Sequence, residues 1–143
     1  MIDFFICYFW LFEKKGDAQN WNTKSSKQYQ FLLDDLKSVD RSVTPWLVVC
    51  LHAPWYNTNA AHQREDEEVE LRSLMEDLVH EYKVDLMYAG HVHAYERTHP
   101  VFKNLVTKGA TTYLNVGDGG NREGPASTWV FLFLVCPFQM LIL

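Results

Sequence analysis

The residues best suited to chemistry in this sequence are four histidines. His91 and His93 stand at i, i+2, and in an extended segment that spacing puts both imidazoles on one face. Two rings on one face can share a single metal ion, or each can serve one ion of a close pair. Gly90 ahead of them lets the backbone pass tightly beside the site. His52 ends a separate apolar run, so its ring can reach the same edge. Three imidazoles converging from two strand ends suit zinc, iron, manganese and similar ions. No carboxylate is obviously placed to complete that set, and a ferric ion would want oxygen ligands. His62 is expected in a loop, either as a proton donor to a leaving group or phosphate contact, or as an exposed loop histidine. His80 is expected on the polar side of a helix, and His99 before Pro100 has no assignable role. Gly117-Asp118-Gly119-Gly120 looks like a metal-binding motif but follows the histidine motif; a structural turn is expected, with Asp118 bonding local backbone amides.

The elements that must position these residues are legible from periodicity. A helix is expected from Ser25, with Gln28 in capping-box spacing and Tyr29, Leu32, Leu33 and Leu36 on one face; Asp40 and Arg41 close it. Residues 46–51 (WLVVCL) are short, apolar and β-branched, the signature of a buried strand, which Pro54 ends. A second helix spans 65–82, with apolar stripe Leu71, Leu74, Met75, Leu78 and Tyr82. The acidic run Glu65–Glu68 at its start is expected to complement the helix dipole on a solvated face. Residues 84–89 and 111–116 are two further strands, and 117–121 a turn. The pattern is α/β, and in such sheets chemistry gathers beyond the carboxyl ends of strands. His52 and the 90–93 motif both sit there.

The chain has 143 residues, one domain's worth, with net charge −5. That charge argues against a nucleic-acid surface, while a phosphate ester can still bind where metal ions carry the positive charge. Cys7, Cys50 and Cys136 suggest neither a disulfide framework nor a cysteine zinc site; Cys50 is expected to be a buried small hydrophobe. Residues 1–12 and 129–143 are apolar but short of the about 20 residues of a membrane span. Residues 1–12 lack the basic start of a secretory signal. As large apolar patches, these ends are candidates for contact with a partner or a membrane surface, or for aggregation.

With these residues in view, the sequence resembles the C-terminal part of the catalytic domain of plant-type purple acid phosphatases, calcineurin-like metallophosphoesterases. Val49-Cys50-Leu51-His52 is similar to that family's Val-x-x-His motif, and Gly90-His91-Val92-His93 to its Gly-His-x-His motif. The flanks Ser42–Trp46, His52–Asn57 and Ala94–Arg97 agree, as does the turn Gly117–Asn121. The resemblance covers residues 25–124. Residues 1–24 match poorly, and 125–143 form an apolar tail unlike the family. It implies a partial metallophosphoesterase sandwich, a mixed sheet with flanking helices. It also implies hydrolysis of phosphate monoesters at a dinuclear centre, Fe(III) beside zinc, manganese or Fe(II), in a secreted or vacuolar protein. By motif position His52 and His91 would ligate the divalent ion and His93 the ferric ion, while His62 would contact phosphate and protonate the leaving alcohol. The family's upstream motifs, with the bridging aspartate and the tyrosinate, do not occur before His52. The alternative expectation is therefore a truncated, inactive remnant that binds one divalent metal or associates through its apolar ends. A cupin or amidohydrolase origin for the His-x-His pair fits less well, since a cupin would be all-β.

Overall fold

The structure is a computed structural model, and it describes residues 3–5, 23–120 and 122–130. The remainder of the two apolar ends, including residues 6–12 and 131–143, lies outside the described residues.

Helix α1 (Lys27–Ser38) begins one residue later than the capping-box spacing predicts. Its cap is Ser26, whose hydroxyl accepts from Tyr29 N at 3.1 Å. Serine at this position satisfies a backbone donor that the helix leaves without a partner; Ser25 instead bonds Thr23 through their hydroxyls. Tyr29, Leu32 and Leu36 are buried, as the 3.6-residue period requires. Strand β2 (Leu47–Leu51) also starts one residue late, leaving Trp46 exposed. The reason is a side chain: Asp85 Oδ2 accepts from Leu47 N at 2.8 Å and pairs with Arg41, fixing the strand's first residue. Helix α2 (Asp66–Glu81) buries Leu71, Met75, Leu78 and Val79. Strand β3 (Leu86–Ala89) is shorter than the apolar run predicts, and β7 (Thr112–Val116) agrees with its expected extent to one residue.

Three elements between β3 and β7 escape the sequence reading, which has only a polar segment there. They are β4 (Tyr95–Arg97) and the two-residue strands β5 (Val101–Phe102) and β6 (Leu105–Val106). The last two form a hairpin about Lys103 and Asn104, both at positive φ, the backbone a tight two-residue turn demands. With β1 (Asp3–Phe5), the strands make a mixed five-stranded sheet in the order β1-β2-β3-β7-β4. All neighbours run parallel except β4, which is antiparallel to β7.

Both helices cover one sheet face, where Leu47, Val49, Met87 and Tyr113 join their apolar stripes in a single core. Burying a side chain such as Met75, 1% exposed, contributes about 1.5–3 kcal/mol. The opposite face, with Val48, Cys50, Leu86 and Leu114, is only half-buried. Cys50 is therefore not the fully buried residue expected, though burial still pushes its thiol up. Among the described residues, no helix is long and apolar enough to cross a membrane.

Candidate metal centre

The parallel pairing of β2 with β3 puts Leu51 beside Ala89. The residues that follow them, His52 and Gly90-His91, therefore emerge together. Gly90 N donates to His52 O at 3.1 Å, which ties the two loops at their root. The ring centroids of His52 and His91 lie 4.6 Å apart. His62 reaches the same place from the long loop after β2, its ring 4.0 Å from that of His91.

The His91–His93 turn is held tightly. Val92 N donates to Gly90 O, and Ala94 N to Val92 O, at 2.7 and 2.8 Å. His91 takes φ of 58°, a left-handed conformation uncommon outside glycine. Asn115, buried on β7, donates through Nδ2 to both Val92 O and Ala94 O, at 2.9 and 2.7 Å. Gly117 lies flush against the same turn: a Cβ there would sit inside the contact shell of the Val92 carbonyl.

The His62 loop is braced by two asparagines. Asn57 Oδ1 accepts from Asn59 N, and Asn59 Oδ1 from Ala61 N. Asn59, fully buried, also donates to Ala126 O at 2.8 Å. His62 and Arg64 both take φ of 57°. Buried Glu96 accepts from Thr58 N and Thr58 Oγ1. Burial pushes its carboxyl above the usual range, and the Thr58 hydroxyl and N–H offset that only in part.

One candidate residue lies where sequence reasoning places only dipole complementation. Glu65, the N-cap of α2, makes no side-chain cap bond. Its carboxylate spans two histidines instead: Oε1 is 2.8 Å from His62 Nδ1 and Oε2 2.9 Å from His91 Nε2. Burial works to raise its pKa, yet the hydrogen bonds and charges of His62 and His91 prevail and lower it. Among the described residues, His62, Glu65 and His91 form the group whose ligating atoms all lie within 4.8 Å of one another. The signal available was the i, i+3 spacing of His62 and Glu65; the contact with His91, distant in sequence, had none.

The remaining predicted residues fall elsewhere. His93 turns to Glu123, with Nδ1 3.5 Å from Oε2. His80 is not simply a surface residue: its ring stacks on Phe102 at 3.9 Å. At the 117–120 turn, Gly120 N donates to the Asp118 carbonyl rather than to its carboxylate.

Comparison with known proteins gives this fold and its edge of histidines a family. The calcineurin-like phosphoesterase family profile matches residues 7–95, and the chain belongs to that family. Within it, the relatives that the chain resembles include plant purple acid phosphatases. A probable purple acid phosphatase 20 of Arabidopsis thaliana is 52% identical over 104 residues, which is 73% of this chain and 24% of that protein. A phosphoenolpyruvate phosphatase of Allium cepa is 45% identical over 115 residues, covering 72% of this chain and 23% of that one. A solved purple acid phosphatase from yellow lupin (Lupinus luteus) seeds superposes with a TM-score of 0.67 at 32% identity, over 83% of this chain and 22% of its own. The chain thus spans about a quarter of the length of these relatives.

Proposed function

We propose that residues 25–124 are the C-terminal part of a purple acid phosphatase domain and contribute the histidine half of a site that hydrolyses phosphate monoesters. The observation that carries this reading is the meeting of His52, His62 and His91 at the carboxyl ends of β2 and β3, with rings 4.0–4.6 Å apart. In this reading His52 and His91 hold a divalent ion, which when bound draws electron density from a phosphoryl oxygen. His62 faces the substrate. Glu65 accepts at its Nδ1, so Nε2 is the atom left to hand a proton to the leaving alcohol.

The donors fit the ferric half less well. His93 would serve that ion, and its oxygen neighbour among the described contacts is Glu123, whose side chain is 82% exposed and 3.5 Å away. A hard Fe(III) needs several oxygen ligands. A second copy of the chain is the proposed source of the missing ones, and activity should then rise faster than linearly with protein concentration. The secreted or vacuolar setting belongs to the same reading.

The test is hydrolysis of p-nitrophenyl phosphate at acidic pH by purified chain loaded with iron and zinc. The expected result is turnover that disappears in His91→Ala. A well-folded, metal-loaded chain without turnover at any concentration sinks the reading.

A further inference from the structure

Residues 126–130 touch two parts of the candidate site at once. Ala60 N donates to Thr128 O at 2.7 Å, and Val130 N to Thr58 O at 2.8 Å. Between these two bonds Asn59 and Trp129 oppose each other in an antiparallel bridge. At the other end Ala126 N donates to His93 O at 2.7 Å, and Ala126 O accepts from Asn59 Nδ2 at 2.8 Å. One short segment thus grips both the loop that carries His62 and the turn that carries His91 and His93.

We propose that residues 126–130 are a positioning strap for the candidate site, fixing the His62 loop to the histidine turn and so setting where the His62 ring stands. The strap lies beyond the segment 25–124 to which the phosphatase reading is confined. It rests on that reading only for its catalytic consequence.

The loop needs such a tie. Residues 52–65 join β2 to α2 without helix or strand, a long connection by the standards of compact domains. Within it His62 and Arg64 take a left-handed backbone, which persists only where the surroundings hold it. The bonds that Asn57 and Asn59 make inside the loop give it a shape, but they do not fix where on the domain that shape sits. Two outside partners do. Glu96 on β4 accepts from Thr58 N at 3.0 Å and from Thr58 Oγ1 at 2.6 Å, while Val130 N takes the Thr58 carbonyl. Thr58 is therefore pinned through its side chain, its N–H and its carbonyl together.

Burial does not account for the strap. Residues 126–130 are all exposed or half-buried, so little apolar area holds them in place. What they contribute is backbone: the N–H groups of Ala126 and Val130 and the carbonyls of Ala126 and Thr128, each with a partner in the loop or the turn. Every residue except proline carries both groups, so side-chain pattern gives no sign of the role.

That exception supplies the test. Val130→Pro removes the donor to Thr58 O and Ala126→Pro the donor to His93 O, while Val130→Ala keeps the donor and changes only the side chain. Circular dichroism and thermal melting confirm that each variant of the full chain folds. The first readout is nuclear magnetic resonance of the metal-free chain at fixed pH. The His62 ring lies 4.0 Å from that of His91, centroid to centroid, so its proton shifts report its position. Both proline variants should move those shifts, and Val130→Ala should not. Val130→Pro should also speed exchange of the Ala60 amide by about tenfold or more, as local opening does, with the amides of β2 and β3 unchanged. The second readout is turnover by the chain loaded with iron and zinc. In the phosphatase reading His62 gives a proton to the leaving alcohol, and a poor leaving group depends on that proton more. The proline variants should therefore lose roughly tenfold in kcat on phenyl phosphate and less on p-nitrophenyl phosphate. Unmoved His62 shifts in the folded proline variants overturn the strap, as does an equal loss on the two substrates. So does free exchange of the Ala60 and Val130 amides in the wild-type chain, a result that needs no variant. A wild-type chain that turns over neither substrate sinks the phosphatase reading alone, and the shifts and exchange still decide the strap.

Discussion

Replacing Gly117 by alanine should damage the histidine turn from behind. The φ of Gly117 is not in the left-handed region, so the effect is one of space alone. The new methyl would sit inside the contact shell of Val92 O, 2.8 Å from Val92 C and 3.1 Å from Gly90 C. Carbon atoms prefer about 3.5–4.0 Å, and the Val92 carbonyl oxygen is nearer still, where a C···O contact needs about 3.3 Å, so relief takes a movement of roughly 1 Å. The end of β7 is the poorer candidate to move. Asn115 and Val116 are paired with β4, and Asn115 also with β3. The turn must therefore give, against the two Asn115 bonds that pin Val92 O and Ala94 O. Overpacking of this kind costs about 1–3 kcal/mol, which for a chain of this size lowers Tm by about 3–10 °C. His91 rides on the displaced turn. Metal bond lengths tolerate only about 0.2 Å, so zinc affinity should also fall, by about tenfold or more. The assay is a thermal melt and a zinc titration of Gly117→Ala beside Gly119→Ala, where a Cβ meets nothing within 4 Å. If the two variants melt together and bind zinc alike, the close-approach argument is wrong.

Three further outcomes follow from the packing. Tyr56→Phe removes a hydroxyl that donates to buried Glu76 and accepts from Asn104 N; leaving those groups short of a partner should cost about 1–3 kcal/mol in a urea titration. Glu96→Gln tests a buried carboxyl whose pKa is raised, chiefly by burial. A raised folded pKa means stability present below the unfolded carboxylate range and lost as pH rises through the folded value. The Glu96 contribution should therefore decline from acid toward neutral pH, and wild-type minus Glu96→Gln stability should fall over that range in denaturant titrations across pH. Ser26→Ala deletes the α1 cap bond and should cost about 1 kcal/mol, read as a lower Tm with the zinc affinity intact.

The sequence by itself determined the periodic elements and their apolar faces. Burial of Tyr29, Leu32 and Leu36, and of Leu71, Met75 and Leu78, follows from spacing that local backbone geometry enforces. It also placed His52 and His91 at neighbouring strand ends, because parallel strands in an α/β sheet end at one edge. Boundaries slipped by a residue or two where a distant side chain intervened, as Asp85 does at Leu47. The short strands β4, β5 and β6 were hidden because two or three residues carry too little period to detect.

Only the tertiary structure decided what the acidic run and the strand asparagine do. At a helix start, Glu65 has a sufficient local explanation in the dipole. Its partner His91 is 26 residues away, and that contact exists only once β3 lies beside β2. Asn115 is a polar residue within the strand expected over 111–116, and it clamps the histidine turn only because β7 lies beside β3. Spacing along a chain records which residues share a face of one element. Which faces meet is set by the packing of whole elements, and the contacts among His62, Glu65 and His91 arise there.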